Sequence, residues 1–188
     1  HMDRYPSIAS YSNAKERILY GEGVAVLNRY DDLVRPMGLS TKRNVLSFGL
    51  GEPSTDNDYG VLELNGKAYL VKGDEVIISS AELKIKGTHN IQNALAAIAM
   101  ADSLDISRSA QQRALARFTG LAHRTQWVAN INDVTWINDS KATNPGACLA
   151  ALEGLSAPII LIAGGDGKGA DFTLLSNVIE TQVSLLIL

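Results

Sequence analysis

Between residues 58 and 79 apolar and polar side chains alternate, and the alternation breaks twice, at Asn65-Gly66 and at Lys72-Gly73-Asp74. A period of two interrupted by tight-turn residues predicts a three-stranded antiparallel meander. Upstream, Val24–Leu27 and Asn44–Phe48 are short apolar runs that read as buried strands. Residues 7–20 carry Ile8, Tyr11, Ile18 and Leu19 along one stripe, which predicts an amphipathic helix. Lys15 falls on that stripe. An ammonium there is paired, neutralised or modified, or else it snorkels at the stripe's edge. Gly87-Thr88-His89-Asn90 opens a helix running to about Ser103, and a second spans Ser107 to Phe118 with Ser107 as its N-cap.

The pattern changes after Thr119-Gly120-Leu121-Ala122-His123-Arg124, which reads as a linker. From Gln126 the order is strand, strand, helix (145–154), strand (158–163), helix (172–180) and strand (183–188). Alternating strands and helices imply right-handed crossovers and a parallel sheet. The fold class is therefore α/β, with a boundary near residue 120. The chain ends on an apolar strand and has no initiator-like start, so a fragment of something larger is expected.

Composition narrows the classes. The chain has 188 residues, 46% hydrophobic and 20% charged, which suits a packed core. A net charge of −3 with no Lys/Arg run argues against nucleic-acid or membrane-surface binding. Cys148 is the single cysteine, so no internal disulfide forms and a reducing, cytoplasmic setting is expected. No apolar run is long enough to span a membrane.

Chemistry concentrates at two strand ends. Trp136-Ile137-Asn138-Asp139-Ser140-Lys141-Ala142-Thr143-Asn144-Pro145 delivers a carboxylate, a hydroxyl and an ammonium to the lip of a strand, and Asn144-Pro145 reads as N-cap and N1 of a helix. Ile159–Ala163 runs into Gly164-Gly165-Asp166-Gly167-Lys168-Gly169. That loop is not a P-loop, because Ile162 and Gly169 stand where a Gly and a Ser or Thr are required. It is either a backbone cradle for an anion beside Lys168 or an ordinary tight turn. Asn90 and Asn93 share a helix face and could meet a purine edge, or Asn90 merely caps while Asn93 is solvated. His1 is either a cloning remnant with Met2 or a metal ligand.

Four stretches together resemble the Mur ligase family: Gly-Thr-His-Asn-Ile-Gln-Asn-Ala (87–94), Phe-Thr-Gly-Leu-Ala-His-Arg (118–124), Trp-Ile-Asn-Asp-Ser-Lys-Ala-Thr-Asn (136–144) and Gly-Gly-Asp-Gly-Lys-Gly-Ala-Asp-Phe (164–172). The third resembles the family's D-glutamate-adding branch. The resemblance runs from His1 to about Phe172. It implies that residues 1–119 are the back half of a central ATPase domain and that 120–188 open a Rossmann-like C-terminal ligase domain. The phosphate-binding loop and the UDP-binding domain would lie upstream, so these residues alone are expected to be inactive.

The implied reaction joins D-glutamate to UDP-N-acetylmuramoyl-L-alanine through an acyl phosphate, with ATP and Mg²⁺, in peptidoglycan precursor synthesis by a cytoplasmic monomer. Lys15 matches a lysine the family carbamylates, which would make it an anionic metal ligand with His1. Asn90 and Asn93 match positions around the adenine. Arg124, Asp139 and Lys141 match residues that engage phosphates and ribose or steady the reacting groups. Thr143 and Lys168 match positions near the D-glutamate carboxylates. Ala122 departs from the proline the family often has before His-Arg, at what would be the hinge, 119–124. The competing readings are a folylpolyglutamate synthase-like amide ligase and a non-catalytic nucleotide-binding module.

Overall fold

The computed structural model describes residues 4–85, 87–167 and 169–188. By its contacts the chain divides into two units, His1–Leu83 with Ile91–Arg117, and Lys84–Asn90 with Phe118–Leu188.

The first unit is built on a five-stranded mixed sheet in the order β1-β2-β3-β4-β5. Strands β1 (Val24–Asn28), β2 (Asn44–Phe48) and β3 (Asp58–Leu64) run parallel; β4 (Lys67–Lys72) and β5 (Glu75–Ser79) continue antiparallel as the expected meander. Asn65 and Gly66 both take positive φ, 52° and 71°, as a two-residue hairpin loop with the right-handed twist demands. Helices α1 (Ile8–Glu16), α2 (Arg35–Ser40), α3 (Thr88–Asp102) and α4 (Arg108–Arg117) complete the order up to the linker. The core gathers Leu46, Tyr59, Leu70, Val71, Ile77 and Leu83 with Ala94, Leu95, Ile98 and Ala99, which form one face of α3.

A polar knot holds this unit together. The Asp102 carboxylate accepts hydrogen bonds from Tyr59 Oη (2.7 Å), Lys72 Nζ (3.2 Å), Gln111 Nε2 (2.7 Å) and both terminal nitrogens of Arg108 (3.0 and 3.1 Å). Arg108 also grips Glu75 with two bonds, at 2.9 and 3.1 Å. Burial alone would raise the Asp102 carboxyl, but the donors from Gln111, Tyr59 and Arg108 outweigh it and hold it down at about 2. Burial, reinforced by the bond to Asp102, pushes the Tyr59 phenol well above its ordinary range.

Two sequence expectations need correction here. The stripe carrying Ile8, Tyr11, Ile18 and Leu19 is not core-facing: α1 buries no residue, and Ile8 and Ile18 are 53% and 78% exposed. The α-helix stops at Glu16, a 3₁₀ turn covers Arg17–Leu19, and neither buries a residue, so no packed neighbour covers the stripe. Lys15 is accordingly exposed, its Nζ 5.4 Å from the Tyr11 ring centroid. The short helix α2 has no counterpart in the elements that the sequence pattern predicts.

In the second unit β6 (Gln126–Ile131) and β7 (Val134–Asn138) form an antiparallel hairpin, and β8 (Ile159–Ile162) pairs in parallel with β9 (Val183–Ile187). Helix α5 (Pro145–Glu153) precedes β8, and a 3₁₀ turn with α6 (Ser176–Gln182) provides the crossover to β9. The expectation of a parallel arrangement thus holds for β8 and β9 only. Strands β6 and β7 are joined by Asn132-Asp133, both at positive φ, and a loop of two residues permits only antiparallel pairing. Leu152, Leu175 and Val178 form a small core, with Cys148, Leu149, Ile159, Leu161, Ile179 and Val183 packed against it.

Candidate active site at the end of strand β7

Strand β7 ends at Asn138, and the chain turns immediately into α5. Asn138 makes this turn with its own side chain, its Oδ1 accepting the Ser140 N–H at 3.0 Å. The Asp139 carbonyl accepts from Ala142 N (2.8 Å) and the Lys141 carbonyl from Thr143 N (2.9 Å), so 139–143 is a tight, internally bonded loop. Asn144 then caps α5 by accepting from Ala147 N at 2.9 Å, with Pro145 opening the helix, as its sequence signature predicts.

The segment before β6 is held by four hydrogen bonds, three of them to this lip. Lys141 N donates to the His123 carbonyl (3.1 Å), and Thr125 N donates to Asp139 Oδ1 (3.0 Å). His123 N donates to Gln126 Oε1 (2.9 Å), and Asn138 Nδ2 lies 3.0 Å from His123 Nδ1. Both His123 and Thr125 are left-handed, with φ of 64° and 43°. Arg124 sits between them, exposed. The Asp139 charge is also felt on α5: burial first, and the Asp139 carboxylate second, push the Cys148 thiol up.

The structure therefore brings Arg124, Asp139, Lys141 and Thr143 onto one lip of the second unit. Asn90 belongs to the same unit, in the first turn of α3; Asn93 follows on that helix but is grouped with the first unit, as is Lys15 on α1. His1 and Lys168 lie outside the described residues. Around position 168, Gly165 and Gly169 take positive φ of 113° and 69°, and a Cβ at either would meet open space. Sequence reasoning missed His123, Thr125 and Asn138. The Asn-Asp-Ser signature of an Asx turn could have marked Asn138 as a turn-maker, but nothing local announces its bond to His123.

Fold and lip together define an α/β protein that presents cations, a carboxylate and a hydroxyl at the carboxyl end of a strand, where such folds meet anionic ligands. Residues 1–101 match the Mur ligase middle domain, and residues 123–188 match the Mur ligase, glutamate ligase domain. The chain belongs to the Mur ligase family. It is 48% identical over 188 residues to UDP-N-acetylmuramoylalanine–D-glutamate ligase of Methylococcus capsulatus, covering all of this chain and 40% of that protein. It is 44% identical over 190 residues to the enzyme of the same name from Nitrosococcus oceani, covering all of this chain and 42% of that one. The chain thus spans about two fifths of the length of these relatives. Among solved structures, MurF from Acinetobacter baumannii superposes with a TM-score of 0.76 at 22% identity, covering 99% of this chain and 43% of that one. Folylpolyglutamate synthetase from Lactobacillus casei gives 0.61 at 15% identity, with 96% and 47% covered; both likenesses are of fold. Among the described residues no helix is long and apolar enough to cross a membrane.

Proposed function

We propose that the chain is part of an ATP-dependent amide ligase that adds D-glutamate to UDP-N-acetylmuramoyl-L-alanine in the cytoplasm, a step of peptidoglycan precursor synthesis. Residues 1–119 are assigned to the back half of its central domain and 120–188 to the opening of its ligase domain. The matched spans and the relatives' names support this reading, and one structural observation carries it: the Arg124 turn is bonded directly to the Asp139–Thr143 loop.

In this reading the γ-phosphoryl of ATP passes to the terminal carboxylate of the UDP-sugar substrate, releasing ADP. The D-glutamate amine attacks the acyl carbon and loses a proton, the C–O bond to phosphate breaks, and an amide and inorganic phosphate remain. Negative charge accumulates around one carbon throughout. Fixed cations aimed at such charge are commonly the largest single contribution to rate. Arg124 and Lys141 are exposed on neighbouring backbone segments and supply that charge. Asp139, already holding Thr125 N, has further acceptor capacity for a ribose hydroxyl. Asn90 and Asn93 offer carboxamides to the adenine edge. A Thr143 hydroxyl and the Lys168 ammonium suit the two carboxylates of D-glutamate.

Mg²⁺ is assigned to His1 and to Lys15 in its carbamylated form. Among the described residues no group of three His, Cys, Asp or Glu could hold a metal. An ammonium does not ligate a cation, so Lys15 as it stands does not fit the ion. Carbamylation would convert it into a carboxylate-like donor.

The test is a chimera in which these 188 residues replace the matching segment of the M. capsulatus relative. Given ATP, Mg²⁺ and UDP-N-acetylmuramoyl-L-alanine, it should release phosphate with D-glutamate and not with L-glutamate. Release indifferent to the amino acid, or dependent on a different acceptor, overturns the assignment.

A further inference from the structure

The Asn138–His123 contact fixes a proton. Asn138 has one carbonyl oxygen and one NH₂, and its oxygen is already taken by the Ser140 N–H at 3.0 Å. The group 3.0 Å from His123 Nδ1 is therefore the NH₂, which can only donate. His123 Nδ1 must accept with its lone pair, so the ring is neutral and its proton sits on Nε2. The other polar groups of His123 are also engaged: its N–H with Gln126 Oε1 at 2.9 Å, its carbonyl with Lys141 N at 3.1 Å. Only Nε2–H has no partner among the described residues, on an exposed ring next in sequence to Arg124.

We infer that Asn138 is a positioning residue that sets the Nε2–H tautomer of His123 and, with Asp139 and the Lys141 N–H, fixes the 123–125 turn so that an imidazole N–H and the Arg124 guanidinium are offered side by side to one anionic oxygen group of the substrates. The argument rests on the ligase reading for the identity of that group, a phosphoryl or carboxylate. The tautomer itself rests only on the geometry. No property of Asn138 as a core or surface residue demands this arrangement. It lies at the end of an edge-accessible hairpin, half-buried, and an Asx turn needs its oxygen alone.

Two variants separate tautomer from mere packing. Asn138→Asp keeps an oxygen for Ser140 N but turns a second acceptor toward His123, which moves the ring proton to Nδ1. Asn138→Ala removes both contacts. Imidazole ¹⁵N shifts of the 188-residue chain at about pH 8, above the usual imidazole range, report the tautomer; His123→Gln identifies its signals among the three histidines. The unsubstituted chain should show a lone-pair Nδ1 and a protonated Nε2, and N138D the reverse. An Nδ1–H form in the unsubstituted chain, or unchanged signals in N138D, overturns the inference.

In the chimera, N138D and N138A should each lower kcat by roughly 10²-fold, the cost expected of displacing a positioned group. Full activity in N138D alongside a reversed tautomer also overturns the positioning role. A chimera without substitution that releases no D-glutamate-dependent phosphate overturns the ligase reading instead, while the ¹⁵N measurement still decides the tautomer.

Discussion

Replacing Asp102 by asparagine tests the polar knot of the first unit and does so through pH. The Asp102 carboxyl is only 13% exposed and receives five hydrogen bonds from four residues. Its value of about 2, against an ordinary 3.8, is a depression of nearly two units. At about 1.4 kcal/mol per unit this makes the ionised knot worth on the order of 2 kcal/mol at neutral pH. The sign follows from the depression. Stability from Asp102 is complete above about pH 4 to 5, where the unfolded carboxyl is ionised, and is lost as pH falls through about 2, where the folded one protonates. The carboxamide of the Asp102→Asn variant cannot ionise, so that variant lacks this increment at neutral pH and loses nothing from it in acid.

Both tryptophans, Trp127 and Trp136, lie in the second unit, so fluorescence would report the wrong part of the molecule. The assay is instead the urea concentration at which the amides of Leu95, Ile98 and Ala99 on α3 lose protection from hydrogen exchange, measured from about pH 7 to pH 2. The parent should exceed D102N by about 2 kcal/mol at pH 7, and the gap should close by about pH 2. Parallel curves, with a gap independent of pH, would refute the reasoning, because the cost would then come from geometry and not from the carboxylate's charge.

A methyl at position 60 would overlap the Gly51 carbonyl and lie 2.9 Å from Pro53 Cδ, so Gly60→Ala should lower unit-one stability by about 1–3 kcal/mol, read from the same α3 amides. Asn144→Ala removes the cap of α5 and should cost about 1 kcal/mol. Cys148, half-buried in that helix, then reacts severalfold faster with a thiol reagent, and an unchanged rate would show that the cap does not hold the helix. In the chimera, Arg124→Ala and Lys141→Ala should each lower kcat by roughly 10²–10³-fold, as loss of one charge-stabilising donor does. Arg124→Lys should recover little if the planar fork matters, so full recovery would reduce Arg124 to a point charge.

Strand positions were legible because period-two patterning and turn chemistry are local: all five strands of the first sheet begin where the alternation or the apolar run begins. Helix α2 was not, since Arg35-Pro36-Met37-Gly38 combines two poor helix formers and offers only Pro near N1 as a start signal. The α1 stripe misled because periodicity shows which residues share a face, not whether anything covers it. The Asp102 knot was invisible for a different reason: Tyr59 and Lys72 lie 43 and 30 residues from it, and only the sheet register places them together. At the lip, Asp139 and Lys141 were readable as a strand-end cluster. The partners of His123 were not, since they depend on how β6 and β7 pair across the Asn132-Asp133 turn.

That dependence has an energetic consequence for the Arg124 turn. A left-handed non-glycine residue costs roughly 1–2 kcal/mol, and Thr125, being β-branched, lies at the upper end. Two such residues, His123 and Thr125, together cost about 2–4 kcal/mol. Four hydrogen bonds oppose this, from Lys141 N, Thr125 N, His123 N and Asn138 Nδ2, each contributing about 0.5–1.5 kcal/mol net. The two sums nearly cancel. The turn that displays Arg124 is therefore not self-supporting: three of its four bonds end on the residues that close β7, and without them the backbone would relax to ordinary extended or helical φ. The same residues that supply chemistry at the lip, Asp139 and Lys141, are by this balance also what holds the neighbouring cation in place. Truncating the Asp139 side chain should consequently cost more activity than the loss of its own carboxylate explains, by the mobility it confers on Arg124.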